Sequence, residues 1–491
     1  MFAKKVLFPL LCASLLGLVA CGDEESNHSN SNPVGPSGPT SSEIQPDVPP
    51  TSAENPVPES TASTPSSDSP SSDSPSSNTP VTPPSGDYAA LAPSANIAFP
   101  IALYGSWKGA HVASLEDDAA TYPSLAANYS DVFTAEFRPA SRVIWASQSS
   151  GTYKTRCTVS DATNFQMKSR ACTVSEGIGY GMLLSFFSND ESTFNGFWNY
   201  NRAFRAYKGS DNLMPWIVQS FSYTILDRSS ATDADLDIAT SLILMYYKSK
   251  NEAYKADALA IINDLWDQEV DPSTKLLLSG NTAMWNGKNG EIVLNLSYFS
   301  PVALRLFAMV DPSHDWNGVL DAMYTYMAKV QDGGTGVFPD WSNTAGVAVA
   351  PPNKSAPNTY FLFDKESVRI PWRISWDYYW FQDSRAEAIL KKLNKFISDK
   401  SSGDVKSDAL STSYSWNLSV GADKKSNTST VSGMWLGLWC ATGIAGNSTW
   451  LDACTTEFNT RQLANNTSSY YSDILLLMYS HLLNGLFLKP F

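Results

Sequence analysis

One pattern recurs along this chain too often to be local: apolar residues at i, i+3 and i+4. It runs through "SEGIGYGMLLSFFS" (175–188), "DADLDIATSLILMYYKSK" (233–250), "AYKADALAIINDLWDQEV" (253–270) and "SPVALRLFAMV" (300–310). It returns in "WNGVLDAMYTYMAKVQD" (316–332), "PWRISWDYYWFQD" (371–383), "SRAEAILKKLNKFISDK" (384–400) and "YSDILLLMYSHLLNGLF" (471–487). Such spacing puts an apolar stripe on each helix, and each stripe must be buried against a neighbour. Strand signals are short, "SRVIWAS" (141–147) and "KLLLSG" (275–280). Helices of similar length, separated by loops rich in Gly, Asn, Asp and Trp, predict an all-α domain of helical hairpins arranged in a barrel.

This pattern belongs to residues 88–491, which read as one globular domain. Residues 22–87 are Ser, Pro, Thr and Asn with a repeated "SPSSD". They hold too little apolar surface to offset ordering entropy, and a disordered tether is expected. Residues 1–21, "MFAKKVLFPLLCASLLGLVAC", carry two lysines, an apolar run too short to span a bilayer, and a small-residue pattern ending in Cys21. The expectation is a bacterial lipoprotein signal with Cys21 lipidated, the alternative being an ordinary secretory signal. Either implies export, to the outer membrane or cell surface, or to the periplasm or medium. Membrane contact is expected only through the lipid.

Four further cysteines stand in two close pairs, Cys157 with Cys172 and Cys440 with Cys454. In an oxidising compartment these read as two local disulfides, whereas a metal site would want CxxC spacing or more histidine than this chain has. A net charge of −14 argues against nucleic-acid partners, and four histidines leave little material for a His-based triad. Fifteen Trp and 22 Tyr suit either a large core or a groove that stacks sugar rings. No metal or organic cofactor is expected, and the protein is expected to be a monomer.

Acidic residues gather at three predicted helix starts. In "CTVSEGIGYGMLLSF", Ser175 is a candidate cap, Glu176 falls in the first turn, and Gly177, Gly179 and Gly181 strip one end of the helix. Each glycine costs roughly 1 kcal/mol relative to alanine, so either a close neighbour helix or an approaching substrate must require it. In "SSATDADLDIATSLIL", Thr232 is a candidate cap for a helix opening on Asp233, Asp235 and Asp237, and negative charge there suits the helix dipole. In "YFLFDKESVRIPWRISWDYYW", Pro371 suits the first turn of a helix, which leaves Asp364, Glu366 and Arg369 in the loop before it. An arginine beside a carboxylate keeps it ionised, as a general base requires, or simply makes a loop salt bridge. Paired carboxylates amid aromatics suggest hydrolysis of a glycosidic bond.

The chain resembles the family-8 glycoside hydrolases, and the matching pieces occur in the family's order. They are "SEGIGYGMLLS", "DNLMPW", "SSATDADLDIATSLIL", "INDLWDQEV", "LNLSYFSP", "GTGVFPDW", "ESVRIPWRISWDYYW" and "YYSDILLLMYSHLLNG". The resemblance implies an (α/α)6 barrel and inverting cleavage of β-1,4 linkages in a polysaccharide partner: cellulose or mixed-linkage β-glucan first, xylan or chitosan as alternatives. A barrel that only binds glycans is the rival from another class. It also implies that Glu176 is the general acid and that Asp233 grips the sugar at the cleavage site, with Asp235 supporting it. Asp237 is left as helix-start charge. Tyr180, Trp216, Tyr298, Trp341, Arg369 and Trp372 take substrate-binding positions in the matched motifs. The family's base stands three residues before the arginine, where this chain has Glu366. Asp364, five before, is the rival, and an inserted loop is a third source.

Overall fold

The computed structural model describes residues 91–121, 129–145, 157, 171–220, 222–282, 290–351, 359–406, 410–424, 431–462 and 469–491. The expected signal sequence, Cys21 and the tether lie outside the described residues. Fourteen α-helices occur among those described, beginning with α1 (Ala98–His111) and the short α2 (Leu115–Thr121) and α3 (Tyr129–Val132). Six of the others are α4 (Ser175–Phe187), α5 (Glu191–Lys208), α6 (Thr232–Ser249), α7 (Glu252–Glu269), α8 (Pro301–Val310) and α9 (Trp316–Asp332). The rest are α10 (Ile370–Phe381), α11 (Ser384–Ser401), α12 (Met434–Ala441), α13 (Ser448–Gln462) and α14 (Tyr470–Leu483).

Six helices form a closed inner ring. α4 packs on α6, α6 on α8, α8 on α10, α10 on α12, α12 on α14, and α14 returns to α4. Each inner helix has an outer partner: α5, α7, α9, α11 and α13 follow theirs in sequence, and α1 covers α14. The architecture is an (α/α)6 barrel. Inner and outer helices differ in kind. All of α4 is buried, as is α6 from Thr232 to Met245, whereas α11 buries one stripe, including Ile389, Leu393 and Ile397. The outer α11 is amphipathic in the sense that the periodicity predicts, and so is the inner α8, which leaves Met309 exposed and Arg305 partly exposed. α4 and most of α6 are enclosed on every side, so their polar residues have to find partners inside the protein.

Connections are unequal at the two ends. Inner helices run into outer ones through short links, 188–190, 250–251 and 382–383 among them. The returns from outer to inner helix are long: 209–231, 270–300, 333–369 and 402–433. All long loops therefore open onto the N-terminal ends of the inner helices, where unpaired amides and the positive dipole end favour acidic groups. The small strands lie in these loops and in the connection from α1 to α4. β1 (Val112–Ser114) pairs with β2 (Ser141–Val143), and β3 (Cys172–Val174), β4 (Ile217–Gln219) and β5 (Thr224–Asp227) form an antiparallel sheet. The 275–280 stretch is not a strand. Lys275 has a φ of 58°, which interrupts it, and it pairs only through the isolated bridge Val270–Leu277.

The three glycines of α4 answer to packing on three sides. A Cβ on Gly177 would lie 3.2 Å from Tyr470, one on Gly179 3.0 Å from Asp237 Cβ, and one on Gly181 2.8 Å from Phe197. α4 is thus pressed at once by α14, α6 and α5. Both cysteine pairs are disulfides, Cys157–Cys172 with Cα atoms 5.2 Å apart and Cys440–Cys454 with 5.1 Å. The first ties down the strand leading into α4, and the second ties α12 to α13.

Candidate active site

At the open end of the barrel, Arg369 is the hub. It closes a 3-10 turn (Ser367–Arg369) before α10 and is fully buried. Its Nη1 donates to Glu176 Oε2 at 2.6 Å and to Asp233 Oδ2 at 3.0 Å, and its Nη2 donates to Glu366 Oε2. Three carboxyl groups from α4, α6 and the turn before α10 therefore meet on one guanidinium. The rings of Tyr298 and Tyr471 flank it, 5.2 and 5.9 Å from Cζ. Tyr470, at the start of α14, donates its hydroxyl to Glu176 Oε1 at 2.8 Å. Asn295 Nδ2 donates to Glu366 Oε2 at 2.7 Å. Asp340 Oδ1 accepts the backbone amides of Asp364 and Ser367, at 3.0 and 2.9 Å, which pins the turn that carries Glu366.

One cation cannot balance three buried carboxylates, so the cluster favours a proton on at least one of them. Burial is the largest influence on Glu176, ahead of the opposing Arg369, and pushes its carboxyl up to about 8. The charge of Asp233 adds to the rise and the Tyr470 hydroxyl opposes it. Burial lifts Asp233 less, to about 6, with Arg369 and Arg373 both lowering it. The 2.6 Å contact of Glu176 with Arg369 would by itself suggest an ionised pair. Desolvation outweighs it, because that guanidinium is shared among three acids. Glu176 is thus a carboxyl that retains its proton near neutrality, next to another, Glu366, that receives two donors. That arrangement can supply and accept protons on either side of a bond.

Residues 145–480 match the sequence profile of glycosyl hydrolases family 8. The chain belongs to glycosyl hydrolase family 8. It is 32% identical over 240 residues to endoglucanase C of Ruminiclostridium cellulolyticum, covering 48% of this chain and 49% of that protein. It is likewise 32% identical over 279 residues to a β-glucanase of Niallia circulans, covering 53% and 66%. The chain spans about half the length of the first of these curated relatives. Among solved structures, the apo β-1,3-1,4-glucanase of Paenibacillus sp. X4 superposes with a TM-score of 0.60 at 24% identity, covering 81% of this chain and 96% of that one. A xylohexaose-bound catalytic-mutant xylanase of Teredinibacter turnerae gives 0.54 at 16%, covering 78% and 98%. These likenesses establish the shared barrel.

In this family-8 chain the three aspartates of "ATDADLDIA" part company. Asp233 faces Arg369. Asp235 lies beneath the 212–216 loop, where its Oδ1 accepts the Met214 amide at 2.9 Å. Asp237 is not helix-start charge: its two oxygens accept from Arg373 Nη1 and Nη2 at 2.7 and 2.8 Å in a buried bidentate pair. The helical spacing explains this division, because residues four apart share a face while residues two apart point nearly opposite ways. That signal was present in the sequence. Neither candidate cap acts as one. α4 begins at Ser175 and α6 at Thr232, each without a side-chain cap bond, and the acidic groups of the first turn only place negative charge at the positive end of the helix.

Of the two candidate bases, Glu366 is bonded to Arg369, whereas the main chain of Asp364 holds the turn through Asp340 and Val368. Tyr180 sits one turn beyond Glu176 on α4, and its buried hydroxyl has no hydrogen-bond partner among the described residues. Trp216 packs edge-on against Trp145, and its carbonyl accepts the Ser175 amide at 2.9 Å. Trp341 is buried in the 333–369 loop. Trp372 is a core residue, wedged among Tyr180, Trp376 and Phe487. Sequence reasoning passed over Tyr470, Asn295, Asp340 and Arg373. Arg373 carried a signal, four residues beyond Arg369 on the same helical face. Among the described residues, no group of three or more His, Cys, Asp or Glu is placed to hold a metal ion.

Proposed function

We propose that this chain is an inverting, endo-acting glycoside hydrolase of β-1,4-linked polysaccharide, with cellulose or mixed-linkage β-glucan as substrate. One observation carries the reading: Arg369 gathers Glu176, Asp233 and Glu366 in a buried cluster in which Glu176 keeps its proton. The curated relatives named endoglucanase and β-glucanase support the choice of substrate.

In this mechanism Glu176 gives its proton to the glycosidic oxygen as the bond to the anomeric carbon breaks. Glu366 takes a proton from the water that attacks that carbon from the opposite face, so the product has inverted configuration. Inversion needs the two carboxyls about 6.5–9.5 Å apart once sugar and water are in place. Asp233 Oδ1, which accepts no hydrogen bond among the described residues, is available for a sugar hydroxyl at the cleavage point. Tyr180, Trp216, Tyr298 and Trp341 supply rings and polar tips around it.

The test is reducing-sugar release from a panel of cellulose, mixed-linkage glucan, xylan and chitosan, with the first product followed by NMR. An α-anomer from the glucans is expected. A β-anomer refutes inversion, release confined to xylan or chitosan refutes the substrate, and binding without release refutes catalysis. Glu366→Gln should abolish turnover while Asp364→Asn retains it, and the reverse result would move the base to Asp364. For the N-terminal region we propose lipidation at Cys21, with residues 22–87 as tether to a catalytic domain over 88–491. Labelling with a tagged fatty acid should be lost in Cys21→Ala.

A further inference from the structure

Behind the site lie two acids that this mechanism does not use. Asp235 on α6 and Glu269 at the end of α7 are both fully buried. Each has one oxygen engaged, Asp235 Oδ1 by the Met214 amide and Glu269 Oε1 by the Ser230 hydroxyl. Each also has one buried oxygen, Asp235 Oδ2 and Glu269 Oε2, with no partner in hydrogen-bonding geometry among the described residues, the Thr232 hydroxyl being a weak donor near Glu269. The nearby cations are committed elsewhere. Lys208 Nζ donates to Asp211 at 2.6 Å and to the Leu213 carbonyl, and Arg205 donates to Asp257 at 2.7 and 2.6 Å and to the Asn212 carbonyl. Two buried acids without a cation of their own become compatible when one of them carries a proton, which then also supplies the missing donor.

What the two acids hold is significant. Met214 leads into Trp216, whose carbonyl accepts the Ser175 amide beside Glu176 at 2.9 Å and whose amide donates to Ser229 at 2.8 Å. Ser230, on Glu269, lies three residues before Asp233, and Asn281 brackets it through its amide at 3.2 Å and its side-chain oxygen at 3.0 Å. We propose that Asp235 and Glu269 hold one proton between them and, as a positioning pair, fix the segments that present Glu176 and Asp233. The roles of those two residues are the ones proposed above.

The charged groups facing the pair are Lys208, Arg205 and Asp211 toward Asp235, and Asp233 toward Glu269. Burial raises both acids, Asp235 to about 7 and Glu269 well above the carboxylate range, with the charge of Asp235 adding to the rise in Glu269. A carboxyl raised in the folded state contributes fully below its unfolded value and loses that contribution as pH rises toward the folded one. Above neutrality the pair must therefore accept a second charge, and both segments should loosen together.

The experiment compares wild type with Glu269→Gln, which removes one of the two titrating groups and can still accept from Ser230. Thermal midpoints are followed from about pH 5 to 9. Wild type should lose more stability than the variant as pH rises, and its KM for β-glucan should climb above neutrality while the variant's stays flat and its neutral turnover is kept. Parallel midpoint curves overturn the proposal, whether or not any polysaccharide is cleaved. If Glu269→Gln does not fold, infrared difference spectra of wild type against Asp235→Asn at pH 7 decide it. A protonated-carboxyl band that shifts or disappears in the variant supports the shared proton, and identical bands overturn it.

Discussion

Asp237→Ala separates two accounts of one residue by magnitude. As a charge near a helix start, Asp237 would contribute about 0.3–1 kcal/mol. The structure instead places it opposite Arg373, with side chains 2% and 0% exposed and both guanidinium Nη atoms engaged. α4 and α6 nearly touch there: a Gly179 Cβ would lie only 3.0 Å from Asp237 Cβ. Removing one partner of such a pair leaves a buried, uncompensated cation, at a cost of about 3–5 kcal/mol. For a domain this large that corresponds to a fall in thermal midpoint of about 4–6 °C, against about 1 °C or less for a lost helix charge. The assay is thermal unfolding by circular dichroism of wild type, Asp237→Ala, Arg373→Met and the Asp237→Leu/Arg373→Met double variant. The double variant should recover most of the loss, since replacing a buried pair with apolar groups is often close to neutral. A single-variant loss below about 1 kcal/mol, or a double variant showing the sum of the single losses, would refute the buried-pair account.

Three further outcomes follow from the same structure. With Glu176 pushed up to about 8, the kcat/KM profile should fall as pH rises through that value because the acid loses its proton, and a flat profile between pH 7 and 9 would contradict the assignment. Gly177→Ala and Gly181→Ala both crowd α4, but the first presses on Tyr470, which donates to Glu176, and the second on Phe197. Turnover should drop in Gly177→Ala beyond its loss of stability, while Gly181→Ala should cost about 1–3 kcal/mol and leave kcat unchanged. Burial drives His481 down to about 4, its Nδ1 facing the Leu477 carbonyl at 2.9 Å and its Nε2 facing the Ser188 hydroxyl at 2.8 Å. The unfolded chain takes up this proton first, so stability should decline as pH falls from about 6.5 to 4. His481→Gln should flatten that decline in denaturation curves taken at the two ends of the window.

Much of this was legible in the amino-acid order. The periods of α4, α6 to α11 and α14 are written in it, and the two cysteine pairs are close enough in sequence to leave their partners in little doubt. Glu176, Asp233, Glu366 and Arg369 stand in their motifs with the spacing of a known family. Local chemistry suffices for these, since a helical period, a short loop and a contiguous motif each involve only neighbouring residues. What the order does not state is which groups the barrel closure brings together. Tyr470 reaches Glu176 from 294 positions away, and Arg369 reaches Asp233 from 136 and Glu176 from 193. The ring closure also changed what the helical period means: α4 and most of α6 are enclosed on all sides, so Asp237, which reads as helix-start charge, became the buried partner of a distant arginine. Helix type and motif membership are local properties, whereas ion pairing, burial and the proton on Glu176 are set by what surrounds a residue, and only the tertiary structure decides that.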